Sequence, residues 1–247
     1  MKISLNNKIV VITGGTRGIG ASMVENFYKA GANIITTGTN INEVEKLNSN
    51  RKNKKIKYYQ LDLTSKKSTE KFLDEIIKLK KIDILVNNAG INKIESISKI
   101  KLDDWDKINE VNLRGPFILT RAITKIMKKQ KQGRILNISS IFGVNSKAKR
   151  AAYSATKWGL VGFTKAAALD LSKYNILVNS LSPGFVNTEL TQRILGKDKI
   201  NEIVKTIPLG RLAQANEIAL AALFLCSDLN TYITGQNIVV DGGFTSE

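Results

Sequence analysis

"IVVITGGTRGIGA", residues 9–21, sets a run of four aliphatic β-formers against a turn that carries Gly14, Gly15, Gly18 and Gly20. Ile9 to Ile12 is too short for a signal-peptide core and far short of a bilayer span, so it reads as a strand buried on both faces. The helix that follows is expected from about Ala21. Glycines at such a turn let the backbone bend tightly and approach a pyrophosphate, and the free N–H groups of the helix start face its charge. The same loop without a ligand is only a tight strand-to-helix turn. Its place after the first strand of a chain that alternates strands and helices favours the nucleotide reading.

That alternation runs through the whole sequence. Short β-branched runs occur at residues 8–13, 33–37, 56–61, 82–87, 134–139, 176–181 and 237–240, separated by longer stretches with helical period. Residues 65–79, with Phe72, Leu73, Ile76, Ile77 and Leu79, are one such stretch. Wholly apolar strands alternating with helices predict parallel pairing, here a Rossmann-type, doubly wound α/β sheet of seven strands in one domain over residues 1–247. Ligands on such sheets bind beyond the carboxyl ends of the strands, near the switch in strand order.

Composition removes whole classes of chemistry. The chain has 247 residues and no histidine, which excludes Ser-His and Cys-His hydrolases and imidazole metal ligands. Its single cysteine, Cys226, forbids an internal disulfide and a thiolate metal cluster, so no metal site and a reducing cytoplasm are expected. No apolar run approaches the length of a membrane span. The charge of +17 comes from 30 lysines and only 8 arginines spread along the chain, which reads as solvated lysine faces rather than a nucleic-acid surface. Small clusters at residues 52–55 and 128–131 are suited to an acidic partner or a phosphorylated substrate.

With histidine absent, acid–base work falls to Tyr, Lys, Asp or Glu, and one pair has the spacing for it. Tyr153 and Lys157 in "AAYSATKWG", residues 151–159, stand four positions apart at the expected start of a helix and therefore share a face. A cation beside a phenol favours the phenolate and is expected to lower its pKa, as a tyrosine that trades protons requires. Such pairs also occur on helix surfaces without chemistry. At the end of the second strand, Thr36-Thr37-Gly38-Thr39-Asn40 lacks the acid that holds a free ribose 2′-hydroxyl, while Arg17 in the first loop can face a 2′-phosphate or stand solvated. NADP(H) is therefore expected in preference to NAD(H).

Taken together in order, these motifs identify the chain as resembling the short-chain dehydrogenase/reductase family over nearly all of its length. Thr13-Gly14-x-x-x-Gly18-x-Gly20 resembles the family's cofactor loop, Asn87-Asn88-Ala89-Gly90 its motif after the fourth strand, and Pro183-Gly184 with Thr188 its nicotinamide-side loop. Asn112, Ser140, Tyr153 and Lys157 match its catalytic set. The resemblance implies that Tyr153 donates a proton to a carbonyl oxygen, Ser140 holds that oxygen, Lys157 lowers the tyrosine's pKa and bonds the nicotinamide ribose, and Asn112 supports a water leading to Lys157. The implied cofactor contacts are Gly14, Thr16, Arg17, Gly18, Ile19, Gly20, Thr39, Asp62, Leu63, Asn88, Ala89, Gly90, Tyr153, Lys157, Pro183, Gly184, Val186 and Thr188. Asp62 reads either as an adenine contact or as the cap of the next helix.

Substrate signals are thinner. Residues 189–213 occupy the place of the family's substrate lid, and carry Leu190, Ile194, Leu195, Ile203, Ile207, Pro208 and Leu209 alongside Arg193, Lys197, Lys199 and Arg211. "PGFVNTELT" and "YITGQNIVVDGG" resemble bacterial 3-oxoacyl-acyl-carrier-protein reductases, whose acidic carrier suits a basic surface; Lys131 falls at one carrier-contacting position, but Tyr174 stands at the other. "NNAGINKIESI" and "DWDKINEVNLRGPF" are similar to sugar and polyol dehydrogenases such as those acting on gluconate. The carrier-bound carbonyl substrate is the leading expectation, with a homotetramer implied by resemblance; a nucleotide-binding regulator that lost the reaction would be expected to lack Tyr153 or Lys157.

Overall fold

A computed structural model describes residues 3–49 and 55–246, so Lys52 and Lys54 of the basic cluster fall outside the described residues. In chain order the elements are β1 (Ile9–Ile12), α1 (Gly18–Lys29), β2 (Asn33–Gly38), α2 (Ile41–Ser49), β3 (Ile56–Gln60), α3 (Lys66–Ile77) and β4 (Ile84–Asn87). They continue with α4 (Leu102–Asn109), a π-helical turn (Glu110–Arg114), α5 (Gly115–Gln130), β5 (Gly133–Ile138) and α6 (Ala151–Leu171). The last are β6 (Ile176–Pro183), β7 (Val186–Asn187), α7 (Glu189–Lys205), β8 (Ala213–Gln214), α8 (Ala215–Cys226) and β9 (Asn237–Val240).

Seven strands form one all-parallel sheet in the order β3-β2-β1-β4-β5-β6-β9, at the places the sequence predicts. Strand side chains alternate between faces, so an unbroken apolar run feeds two cores at once. Val10 and Ile12 of β1 and Leu136 and Ile138 of β5 enter the core shared with Met23 and Phe27 of α1 and Ala219 and Ala222 of α8. Val11 and Ile135, one position over, enter the opposite core with Phe72 of α3, Leu119 and Ile123 of α5 and Ala168 of α6. Burial on both faces explains why these strands carry no polar alternation.

The chain winds from β1 outward to β3, then returns to place β4 on the other side of β1, which opens a crevice at the carboxyl ends of those two strands. One local feature differs from the sequence expectation and two were not foreseen by it. First, α1 begins at Gly18 rather than near Ala21, because Gly18 takes φ +56 and supplies the left-handed corner from which the helix starts. Second, the helix over residues 102–130 is interrupted by the π-helical turn that contains Asn112. Third, β7 and β8 pair Val186 with Ala213 and Asn187 with Gln214, tying together the two ends of the segment expected as a lid. Within that segment α7 bends at Gly196, whose φ of +69 breaks the helix; the side chains of Leu190, Ile194, Leu195 and Lys197 lie outside the described residues.

Candidate active site

A cleft of about 470 Å³ lies over the carboxyl ends of the strands. Every expected cofactor contact lines it, from Gly14 and Arg17 at one end, past Asp62, Leu63 and Gly90, to Pro183, Val186 and Thr188; Ser140, Tyr153 and Lys157 line it too. Asn112 alone lies one layer behind the wall, at 1% exposure.

The glycine loop is held by hydroxyl groups from neighbouring strands. Thr13 Oγ1 accepts the backbone N–H groups of Asn88 and Ala89, each at 3.0 Å, tying the loop after β1 to the loop after β4. Asn88 returns the tie by donating Nδ2 to the carbonyls of Thr13 at 2.8 Å and Gly14 at 3.1 Å. Thr37 Oγ1 accepts the N–H of Gly14 at 3.1 Å. A Cβ at Gly20 would collide with the Gly14 carbonyl oxygen and lie 2.7 Å from Asn88 Nδ2, so the first turn of α1 packs against the loop at a distance only glycine permits. No side chain caps α1 and its first turn has no acid, which leaves the N–H groups of the helix start for an anion.

After β3, Asp62 Oδ1 accepts from both the N–H and the hydroxyl of Thr64, at 2.9 and 2.7 Å. Ser65, not Asp62, caps α3 by accepting from Ser68 N. Asp62 therefore shapes the turn that presents it to the cleft.

Ser140, Tyr153 and Lys157 converge at the other end. Ser140 stands two residues past the end of β5, and its Oγ accepts the N–H of Phe142 at 3.1 Å, which fixes it in the cleft wall that Tyr153 also lines. Lys157, only 3% exposed, donates Nζ to the Ile138 carbonyl at 2.8 Å and stands 5.5 Å from the centroid of the Tyr153 ring. Ser139 Oγ bonds the Lys157 carbonyl at 3.0 Å, locking α6 to the end of β5. The Asn112 side chain accepts from Ile91 N at 2.8 Å and donates to Ile91 O at 2.9 Å and to Thr156 Oγ1 at 3.2 Å. It braces the strand-end loop and α6 against each other, and the π-helical turn delivers it there.

The electrostatics correct one expectation. Burial raises the Tyr153 phenol above its usual value, opposed by the Ser140 hydrogen bond and by the charge of Arg150. The expected lowering by Lys157 is not what this arrangement produces, because the ammonium points to the Ile138 carbonyl and is itself brought down to about 8 by burial.

Phe142, Arg150 and Phe185 also line the cleft and were not singled out by the sequence. Phe142 meets Tyr153 edge to face at 6.4 Å and Phe185 at 6.3 Å. Their signal was positional: each lies within three residues of a motif residue, Ser140, Tyr153 or Gly184, but nothing in the sequence tells which neighbours turn inward.

Residues 14–245 match the family model described as enoyl-(acyl carrier protein) reductase. The chain is 41% identical over 247 residues to the 3-oxoacyl-(acyl-carrier-protein) reductase FabG of Aquifex aeolicus (strain VF5), with 98% of this chain and 99% of that one covered. It is 38% identical over 242 residues to the same-named protein of Escherichia coli (strain K12), covering 98% of each. It also resembles the solved structure of a gluconate 5-dehydrogenase from Burkholderia cenocepacia J2315 in complex with NADP and tartrate, with a TM-score of 0.91, 30% identity, and coverage of 100% of this chain and 98% of that one. A dinucleotide cleft on a seven-stranded parallel sheet, a Tyr-x-x-x-Lys helix beneath it and full-length relatives of this kind lead to one conclusion: the chain belongs to the short-chain dehydrogenase/reductase family of nicotinamide-dependent oxidoreductases acting on CH–OH and C=O groups.

Proposed function

We propose that the protein is an NADPH-dependent reductase of 3-oxoacyl thioesters borne on an acyl-carrier protein. The observation that carries the reading is the convergence of Ser140, Tyr153 and Lys157 at one end of a cleft whose other end is the glycine loop. The residues present fit a nicotinamide dinucleotide: glycine at position 20 lets the first turn of α1 close on the Gly14 carbonyl, and the uncapped start of that helix offers N–H groups to a pyrophosphate. When bound, the dinucleotide supplies hydride to the carbonyl carbon.

The chain's own residues serve the oxygen. Ser140 and Tyr153 hold the carbonyl oxygen between two hydroxyls, and Tyr153 transfers its proton as charge grows there. A phenol raised by burial stays protonated until that moment, which suits a proton donor. Lys157, brought to about 8, gives up and recovers a proton near neutrality and returns one to the tyrosine. Asn112 keeps the loop at Ile91 and the helix of Tyr153 in register. Thr39 stands where an acid would select NAD(H), and Arg17 lines the same end of the cleft, which favours a 2′-phosphate.

Residues 189–213 form the substrate lid. A basic patch supports the acidic carrier: Lys128 and Lys173 lie over the Tyr174 ring, at 5.0 and 5.4 Å, beside Lys131 at the end of α5. Exposed Phe117, Trp158 and Leu169 on α5 and α6, and Leu220 and Phe224 on α8, support assembly as a homotetramer. Among the described residues no helix is long and apolar enough to cross a membrane, and with one buried cysteine the reading places the enzyme in the cytoplasm.

Gluconate-type dehydrogenation is the second reading, favoured by the likeness to the Burkholderia enzyme. The test follows oxidation of NADPH and NADH with acetoacetyl thioester and with 5-ketogluconate. Faster turnover of the thioester with NADPH is expected; preference for the keto acid, or equal rates with NADH, would overturn the substrate or the cofactor assignment respectively. Tyr153→Phe should lower kcat by about 10²–10⁴-fold with NADPH affinity unchanged.

A further inference from the structure

Arg150 is a cation with nothing to hold. It is half-buried in the wall of the cleft, and its guanidinium lies 5.3 Å from the centroid of the Phe142 ring. Among the described residues no carboxylate pairs with it and no acceptor takes a hydrogen bond from its five N–H donors. Arg134, the other arginine withdrawn from solvent, donates to the carbonyls of Gly133 and Asn230 at 3.0 Å each. Arg114 and Arg211, on the surface, each pair with a glutamate.

The position of Arg150 is nevertheless fixed. Its carbonyl accepts Ser154 N at 2.7 Å and so begins α6, and the preceding Lys149, at φ +67, accepts Glu95 N at 3.1 Å through its own carbonyl. The side chain thus leaves the helix one turn before Tyr153, with its guanidinium over Phe142 in the lining of the cleft. Withdrawing a guanidinium from water without a partner is unfavourable unless a ligand oxygen replaces the lost hydration.

Resting on the reductase reading above, we propose that Arg150 is a specificity-determining residue that hydrogen-bonds a second oxygen on the substrate, the thioester carbonyl two carbons from the ketone being reduced. Ser140 and Tyr153 take the reacting oxygen, and the arginine takes the other. The 1,3-dicarbonyl pattern of a 3-oxoacyl thioester presents both oxygens to one wall of the cleft, whereas a ketone with a single oxygen leaves the guanidinium unpaired.

The experiment compares wild type, Arg150→Met and Arg150→Lys on acetoacetyl-N-acetylcysteamine and on 2,2,2-trifluoroacetophenone, an activated ketone without a second carbonyl, and titrates NADPH by its fluorescence. In Arg150→Met, kcat/KM for the thioester should fall roughly ten- to a hundredfold, the loss of one charge-assisted hydrogen bond, with much of it in KM. NADPH affinity should be unchanged, the rate on trifluoroacetophenone should fall far less than that on the thioester because it registers only the loss of the Arg150 charge beside Tyr153, and Arg150→Lys should recover part of the loss. An undiminished thioester rate overturns the proposal, and so does an equal loss on both substrates or a loss of NADPH binding, which would confine Arg150 to a structural role or to tuning Tyr153. Should wild type reduce the thioester but not the fluorinated ketone, the NADPH titration and the division between KM and kcat decide. A wild type inert on the thioester defeats the reductase reading itself, which is a different failure.

Discussion

Replacing Lys157 with Met should kill the enzyme and stabilise the protein. Lys157 is 3% exposed, and its drop from 10.5 to about 8 corresponds to roughly 3 kcal/mol against the protonated form in the folded state. The 2.8 Å bond from Nζ to the Ile138 carbonyl offsets part of this, about 1 kcal/mol net. Methionine has similar length and no charge, so Lys157→Met should gain roughly 2 kcal/mol at pH 7. The sign of the pH dependence follows from the lowered folded pKa. Below about 8 the lysine is protonated in both states and the penalty is fully present; as pH rises from about 8 toward 10.5 only the folded state releases its proton, so wild type gains stability that the variant does not. The advantage of the variant should therefore shrink across that window. Urea denaturation at matched protomer concentration, at pH 7 and pH 9.5, measures it. A variant less stable than wild type at pH 7, or a stability difference that is flat with pH, would refute the reasoning.

Two further substitutions probe the loop. Gly20→Ala places a methyl group against the Gly14 carbonyl, where the obstacle is backbone and cannot swing aside; NADPH affinity, followed by fluorescence titration, should fall at least roughly tenfold while far-ultraviolet circular dichroism stays native. Thr13→Val keeps the shape but removes the acceptor of two N–H groups at a site 1% exposed, and should lower unfolding free energy by about 2–4 kcal/mol in the same denaturation assay; an undisturbed midpoint would show that water takes the place of the hydroxyl.

The sheet was legible because both of its faces are covered. Val10, Val11 and Ile12 had to be apolar whichever way they pointed, so strand position could be read without knowing the partners. The cleft was legible for a related reason: chemistry at strand ends clusters by topology, and glycines with left-handed φ are visible as residues. What escaped the sequence depends on distances across the fold. The two-residue strands β7 and β8 are too short to show a period. The π-helical turn at Asn112 carries ordinary helix formers, and only the geometry around Ile91 and Thr156 gives it a purpose. The phenol's raised pKa and the unpaired Arg150 both follow from which side chains lose water, and spacing alone does not contain that information.

The paired ends at Val186–Ala213 and Asn187–Gln214 make residues 188–212 a cassette clasped at its hinge. Because the clasp already joins its termini, doubling the cassette's length would add only about 0.6 kcal/mol of closure entropy. Ser140, just after β5, and Tyr153, on α6, sit outside the clasp, so the cassette is free to be lengthened, shortened or exchanged while those two hydroxyls stay where they are. A fold arranged in this way can reshape one flap without disturbing the sheet that carries it.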